Sequence, residues 1–151
     1  MRIVLASDHA GFALKSQLVA ALAAEGHDVV DLGTDGDESV DYPRYAEPAA
    51  RRVASGEAER GVLVCGSGNG VAIVANKVPG VRAVNGHDVE EAEMARRHND
   101  ANVLTLSGAR LDGTAALAIV RAFLATGFDG GRHERRVNQI SAIETAMETP
   151  A

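Results

Sequence analysis

Five short runs rich in β-branched and aliphatic residues alternate with longer helical patterns along this 151-residue chain, and that alternation leaves few folds open. The runs are Arg2–Ala6, Asp28–Leu32, Val62–Cys65, Val81–Val84 and Asn102–Leu106. The helical stretches are Phe12–Glu25, Tyr45–Ser55, Val71–Asn76, Glu90–Arg97, Thr114–Ala125 and His133–Met147. Within the first of these, Leu14, Leu18 and Leu22 form a single apolar stripe. Strands separated by helices predict a parallel sheet, reached by right-handed crossovers and covered on both faces. The expected class is therefore α/β: a three-layer α/β/α, Rossmann-like (flavodoxin-like) five-stranded parallel sheet with an extra C-terminal helix. Residues 1–151 read as one domain, without repeats, low-complexity tracts or linkers. The final helix lies beyond the fifth strand–helix unit. It either packs on the sheet or is exchanged with a partner subunit.

In open parallel sheets, ligands bind beyond the carboxyl ends of the strands. The segments to inspect are thus Ser7–Gly11, Gly33–Tyr45, Cys65–Gly70, Asn85–Asp88 and Ser107–Arg110. The third says most. A buried-strand pattern ends in the chain's only cysteine and runs into Gly66, Gly68 and Gly70. Glycines there let backbone amides approach a ligand, and the apolar run from Val71 to Ala75 presents a helix N-terminus to the same point. A thiol, amide donors and a helix dipole suit chemistry on an anionic or anion-forming substrate.

Composition removes several function classes. The net charge of −6 opposes general nucleic-acid binding, which needs a surplus of Lys and Arg. No apolar run approaches the roughly 20 residues that span a bilayer. No secretory leader is expected, because the N-terminus enters Ile3-Val4-Leu5-Ala6 directly. One cysteine cannot form an internal disulfide, so the expected compartment is the cytoplasm. The glycine loop is neither G-x-G-x-x-G nor followed by G-K-[ST], which disfavours dinucleotide and P-loop sites. Metal-ligand spacing is absent, and no cofactor or metal is expected.

Other segments admit two readings. Ser7 or Asp8 suits an N-cap, whereas His9 is placed to contact a phosphate or carry a proton. Arg96-Arg97-His98-Asn99-Asp100 ends a helix, where basic residues are favoured by the dipole alone. Asp41-Tyr42-Pro43 starts a helix at Pro43, with Tyr42 either core or stacked on a sugar. The last helix opens with Arg132, His133, Arg135 and Arg136 and carries Glu144 and Glu148 near its end, against the macrodipole. A solvated face tolerates this. So does a bound anion, and Arg132 and Arg136 share one helical face that suits a phosphate.

These residues resemble the ribose-5-phosphate isomerase B family. The resemblance rests on Asp8-His9-Ala10-Gly11, Asp41-Tyr42-Pro43, Cys65-Gly66-Ser67-Gly68-Asn69-Gly70 and Ala75-Asn76-Lys77. His98-Asn99-Asp100-Ala101-Asn102-Val103-Leu104 and Gly131-Arg132-His133 continue it, so it spans residues 1 to about 147. It implies interconversion of an aldose phosphate and its ketose phosphate through an enediolate. Cys65 would be the base, Ser67 would assist at the hydroxyl oxygens, and Gly66, Gly68, Asn69 and Gly70 would hold the oxyanion. Asp8 and His98 would serve ring opening or hydroxyl binding beside Tyr42 and Asn99. His9, Arg110, Arg132 and Arg136 would grip the phosphate. It also implies a homodimer or homotetramer with shared active sites. In one branch of relatives a glutamate after the glycine loop replaces the cysteine. Here that position is Val71, which closes that route. Asn85-Gly86-His87 is polar where relatives are more apolar.

The residues are independently compatible with this chemistry. Proton abstraction beside a carbonyl needs a base and donors aimed at the enediolate oxygens, and cysteines facing helix N-termini are more readily deprotonated. The expected substrate pair is ribose 5-phosphate and ribulose 5-phosphate. Allose or galactose 6-phosphate and tetrulose 4-phosphates remain open, as does a non-catalytic sugar-phosphate sensor on the same fold. A thiol phosphatase fits less well, because the loop lacks the arginine that closes such a phosphate cradle.

Overall fold

The computed structural model describes residues 1–148. Its strands are β1 (Arg2–Ser7), β2 (Asp28–Asp31), β3 (Arg60–Cys65), β4 (Ala83–Asn85) and β5 (Val103–Ser107). The helices are α1 (Phe12–Ala24), α2 (Pro43–Ala54), α3 (Asn69–Asn76), α4 (Val89–Asn99), α5 (Gly113–Ala125) and α6 (Arg132–Glu148). The five strands form one parallel sheet in the order β2-β1-β3-β5-β4. The expected three-layer α/β/α class holds, and α6 is the additional helix.

Alternation along the strands explains the two covered faces. Ile3, Leu5, Val62, Val64, Leu104 and Leu106 point to one side, against Leu14, Leu18 and Leu22 of α1 and Ile119, Val120 and Phe123 of α5. Val4, Ala6, Leu63, Cys65 and Val103 point to the other, against Ala46, Ala49 and Ala50 of α2 and Val71 and Ala75 of α3. The leucine stripe thus lies where the sequence put it. Among the described residues, no helix is long and apolar enough to cross a membrane.

Several bounds differ from the sequence reading: β4 is Ala83–Asn85 and not Val81–Val84, α3 starts at Asn69 and not at Val71, and the ends of two further helices are built differently. Helix α4 continues through Asn99, and Asp100 takes the left-handed position that ends it (φ 45°). Its carboxylate is held by Arg96 Nη1 at 2.8 Å and Arg82 Nη2 at 3.2 Å. Arg96 is buried and also donates to the carbonyls of Ala101 and Thr126, so it is structural. At α1, neither Ser7 nor Asp8 is the N-cap. Gly11 holds that position, and Asp8 Oδ1 accepts from its amide at 3.0 Å. Helix α6 packs beside α4, with Val137 buried and Glu144 Oε2 accepting from the Gly80 amide.

Lys15 is the polar exception on α1. It is fully buried, and its ammonium donates to both Asp31 carboxylate oxygens at 2.7 and 2.9 Å and to Thr34 O at 2.7 Å. Asp31 Oδ1 also accepts from the Gly33 amide. The start of the β2–α2 segment is therefore tied to α1 by charge-assisted bonds. Lys15→Met is expected to lower stability by roughly 1–3 kcal/mol, since it leaves Asp31 and the Thr34 carbonyl short of their donor. A urea midpoint measured at unchanged m-value reads this directly. An unmoved midpoint would show that the ammonium adds no net stability.

Candidate active site

The three central strands end level with one another. Ser7 pairs with Val64, and Cys65 pairs with Ser107. Asp8, one residue beyond β1, donates its amide to Val64 O, so Asp8, Cys65 and Ser107 line up across the carboxyl edge of the sheet. All three are buried. Ser107 Oγ donates to Gly66 O at 2.6 Å, and the amides of Gly108 and Ala109 donate to Cys65 O and Gly66 O. These bonds fasten the glycine loop to the end of β5.

Within the loop, Gly68 takes a left-handed conformation (φ 80°) and starts α3. Its amide turns back to donate to Cys65 Sγ at 3.2 Å, while its carbonyl accepts from Thr105 Oγ1 at 2.8 Å. Ser67 Oγ accepts from the Asn69 amide at 3.1 Å. The first-turn amides of α3 have no intrahelical acceptor and supply the donors that an oxyanion requires. The thiol therefore sits at a strand end, faces a helix N-terminus and receives a backbone hydrogen bond.

Tyr42 and His9 come from the neighbouring loops. Tyr42 lies over Gly70, where a Cβ would meet Tyr42 Cζ at 2.6 Å. His9 Nδ1 accepts from the Val40 amide at 3.1 Å, which leaves its other nitrogen for a ligand. Arg110 is exposed just beyond β5. One supporting residue escaped the assignment of roles. Asn85 Nδ2 donates to Ser67 O at 3.2 Å and to Asn69 Oδ1 at 2.8 Å, bracing the loop from β4. Its polarity stood out in the sequence, but only the fold shows what it touches.

The remaining expected residues lie elsewhere. Helix α4 returns antiparallel to the strands, so His98 and Asn99 at its end sit at the amino edge of the sheet. Nearby, Asn102 O accepts from the Gly61 amide, and the Asn102 amide donates to Arg82 O. The Asp129 amide donates to Arg97 O, which brings the start of α6 to the same edge. There His133 stacks on His98, with centroids 4.2 Å apart and planes 9° apart. Desolvation, the His98 ring and the Arg132 and Arg136 cations push the His133 imidazole below its ordinary range, with Asp129 opposing. Arg132 and Arg136 are exposed on α6. A single chain thus carries the expected site residues in two groups at opposite ends of one sheet: Asp8, His9, Tyr42, Cys65 to Gly70 and Arg110, and His98, Asn99, Arg132 and Arg136.

A model of the Ribose/Galactose Isomerase family matches residues 3–140. Ribose-5-phosphate isomerase B of Escherichia coli is 46% identical over 144 residues, covering 95% of this chain and 96% of that protein. The chain belongs to the Ribose/Galactose Isomerase family. The solved Clostridium thermocellum ribose-5-phosphate isomerase B superposes with a TM-score of 0.96 at 44% identity, over 98% of this chain and 100% of that one. The Mycoplasma genitalium ribose-5-phosphate isomerase B, solved with bound ribulose 5-phosphate, gives 0.92 at 40% identity over 98% and 97%. The resemblance read from the motifs is therefore correct, and the chain is an isomerase of this family.

Gly68 carries a sharp prediction for this isomerase. A Cβ there would collide with Asn85 Oδ1, at a φ that side chains rarely adopt. Gly68→Ala is expected to cost about 1–3 kcal/mol of stability and, by moving the loop, about 100-fold in kcat. Calorimetry and turnover measured on the same preparation check both. Unchanged turnover would show that the loop tolerates the displacement.

Proposed function

We propose that this chain interconverts ribose 5-phosphate and ribulose 5-phosphate through an enediolate, with Cys65 as the base. The observation that carries this reading is the Cys65 sulfur at the end of β3, accepting a hydrogen bond from Gly68 within an amide-lined loop. The substrate pair follows the relatives, including the neighbour solved with ribulose 5-phosphate.

In this mechanism Asp8 and His98 open the sugar ring, one taking the proton of the anomeric hydroxyl while the other protonates the ring oxygen as its bond to the anomeric carbon breaks. The Cys65 thiolate takes the proton from the carbon beside the carbonyl. Negative charge passes to the former carbonyl oxygen, where the amides of Gly66, Gly68, Asn69 and Gly70 receive it. Ser67 shuttles a proton between the two oxygens, and the thiol returns its own to the neighbouring carbon. Nothing is consumed, and the proton transfers need no cofactor. Tyr42 and Asn99 bind hydroxyls, while His9, Arg110, Arg132 and Arg136 hold the phosphate.

The two groups of residues lie at opposite edges of the sheet, so a second copy of the chain supplies His98, Asn99, Arg132 and Arg136 to each site. The assembly is a homodimer or homotetramer with shared active sites. Ile140, Ile143 and Met147 are exposed on α6, the helix that bears both arginines, and give association an apolar surface to cover. Residues 1–151 act as one domain, in the cytoplasm.

Cys65→Ala is expected to lower kcat by at least about 10²–10⁴-fold while a sugar-phosphate ligand still binds. A coupled assay with ribose 5-phosphate and calorimetric titration read the two quantities. Full activity in the variant would reject Cys65 as base. Loss of activity with binding retained separates an enzyme from a sensor. Site sharing has its own test. Equal amounts of Cys65→Ala and His98→Asn, each inactive, are unfolded and refolded together. Mixed dimers should restore about a quarter of wild-type activity, because half the dimers are mixed and each carries one intact site. Absence of any recovery would count against shared sites.

A further inference from the structure

At the amino edge of the sheet, three ligating groups from separate parts of the chain converge. His98 comes from the last turn of α4, Asp129 from the segment between α5 and α6, and His133 from the first turn of α6. One ligand atom of each lies within 4.8 Å of the other two. We propose that His98, Asp129 and His133 bind a divalent ion of the Zn2+ class, and that filling this site inhibits the isomerase by occupying the His98 imidazole.

The chemistry of the donors supports this. Two imidazoles and a carboxylate are a Zn2+ ligand set that leaves one position for water. Bond lengths of about 2.0–2.2 Å place tetrahedral ligand atoms about 3.4 Å apart. The observed spacing closes to that value by modest side-chain rotations, since Asp129 is exposed and both histidines are partly so. The backbone is already in place. The Asp129 amide bonds to Arg97 O, Arg96 Nε bonds to Thr126 O, and the His133 amide bonds to Gly130 O. The segment bearing Asp129 is thereby pinned on the end of α4, whose C-terminal carbonyls favour a cation.

Neighbouring charge sharpens the selectivity. Arg132 and Arg136 follow on α6 and disfavour an ion held by charge alone. Mg2+, which prefers oxygen ligands and keeps its waters, gains little from imidazoles. An ion that bonds strongly to imidazole nitrogen overcomes the repulsion. Sequence spacing gave no sign of this set, because His98, on α4, meets Asp129 and His133 only in the fold. The inhibitory consequence rests on the proposed role of His98; the binding does not.

The test is a Co2+ titration of the metal-stripped full-length protein, followed by visible absorption. The expected result is one Co2+ per chain with nitrogen/oxygen-type bands, displaced by Zn2+ but not by Mg2+. Asp129→Asn and His133→Gln should each weaken binding by at least about tenfold, while Cys65→Ala leaves it unchanged. Wild-type affinity in either ligand variant, or a sulfur-to-cobalt band that disappears in Cys65→Ala, overturns the site. In turnover assays, Zn2+ should inhibit the wild type reversibly on chelation. Asp129→Asn should keep basal activity and need about tenfold more Zn2+. Zn2+ bound at this site without inhibition overturns the regulatory half. A wild type that never isomerises sugar phosphates counts against the proposed function instead, and the cobalt titration still decides the site.

Discussion

The candidate site depends on how closely the backbones approach where β1, β3 and β5 end. A Cβ on Gly11 would stand 2.5 Å from Val64 O, and one on Gly108 would stand 2.8 Å from Ala10 O. Only hydrogen fits at either position. That closeness lets the Asp8, Cys65 and Ser107 loops share hydrogen bonds instead of splaying apart. The sulfur then has one location, set by the register of β3 and by the bond from Gly68.

The direction of a parallel sheet explains why the residues fall into two groups. Every strand ends at one edge, and every crossover helix must return to the other. A residue at the end of α4 therefore cannot reach Cys65 of its own chain. The order in sequence, with His98 following Cys65 by α3, β4 and nearly all of α4, already contains this geometry. It emerges only when β4 and β5 are known to be parallel neighbours.

Much of the fold was legible because its signals are local and repeated. The leucine stripe of α1 needs only a helical period to identify its buried face. Val62–Cys65 reads as a buried strand because both sides of a parallel strand are covered. Polar residues were harder. Lys15 interrupts an apolar face and looks exposed in sequence, yet it is fully buried, because Asp31 and the Thr34 carbonyl wait beyond the stripe. Arg96 and Arg97 are adjacent and chemically alike. One is buried among carbonyls and Asp100, the other lies on the surface. No local pattern separates them, since the acceptors come from segments distant in sequence.

The sequence alone determined the class of fold, the glycine loop that follows the cysteine and the family to which the chain belongs. Those features are carried by short stretches whose periodicity and turn chemistry act within a few residues. Tertiary structure alone decided that Asn85 and Ser107 brace that loop, that two sets of candidate site side chains stand at opposite edges, and that His98 meets Asp129 and His133. Each of those facts is a meeting of segments from different strands, helices or loops. Such meetings are set by strand order and helix direction, which appear only once the sheet has formed.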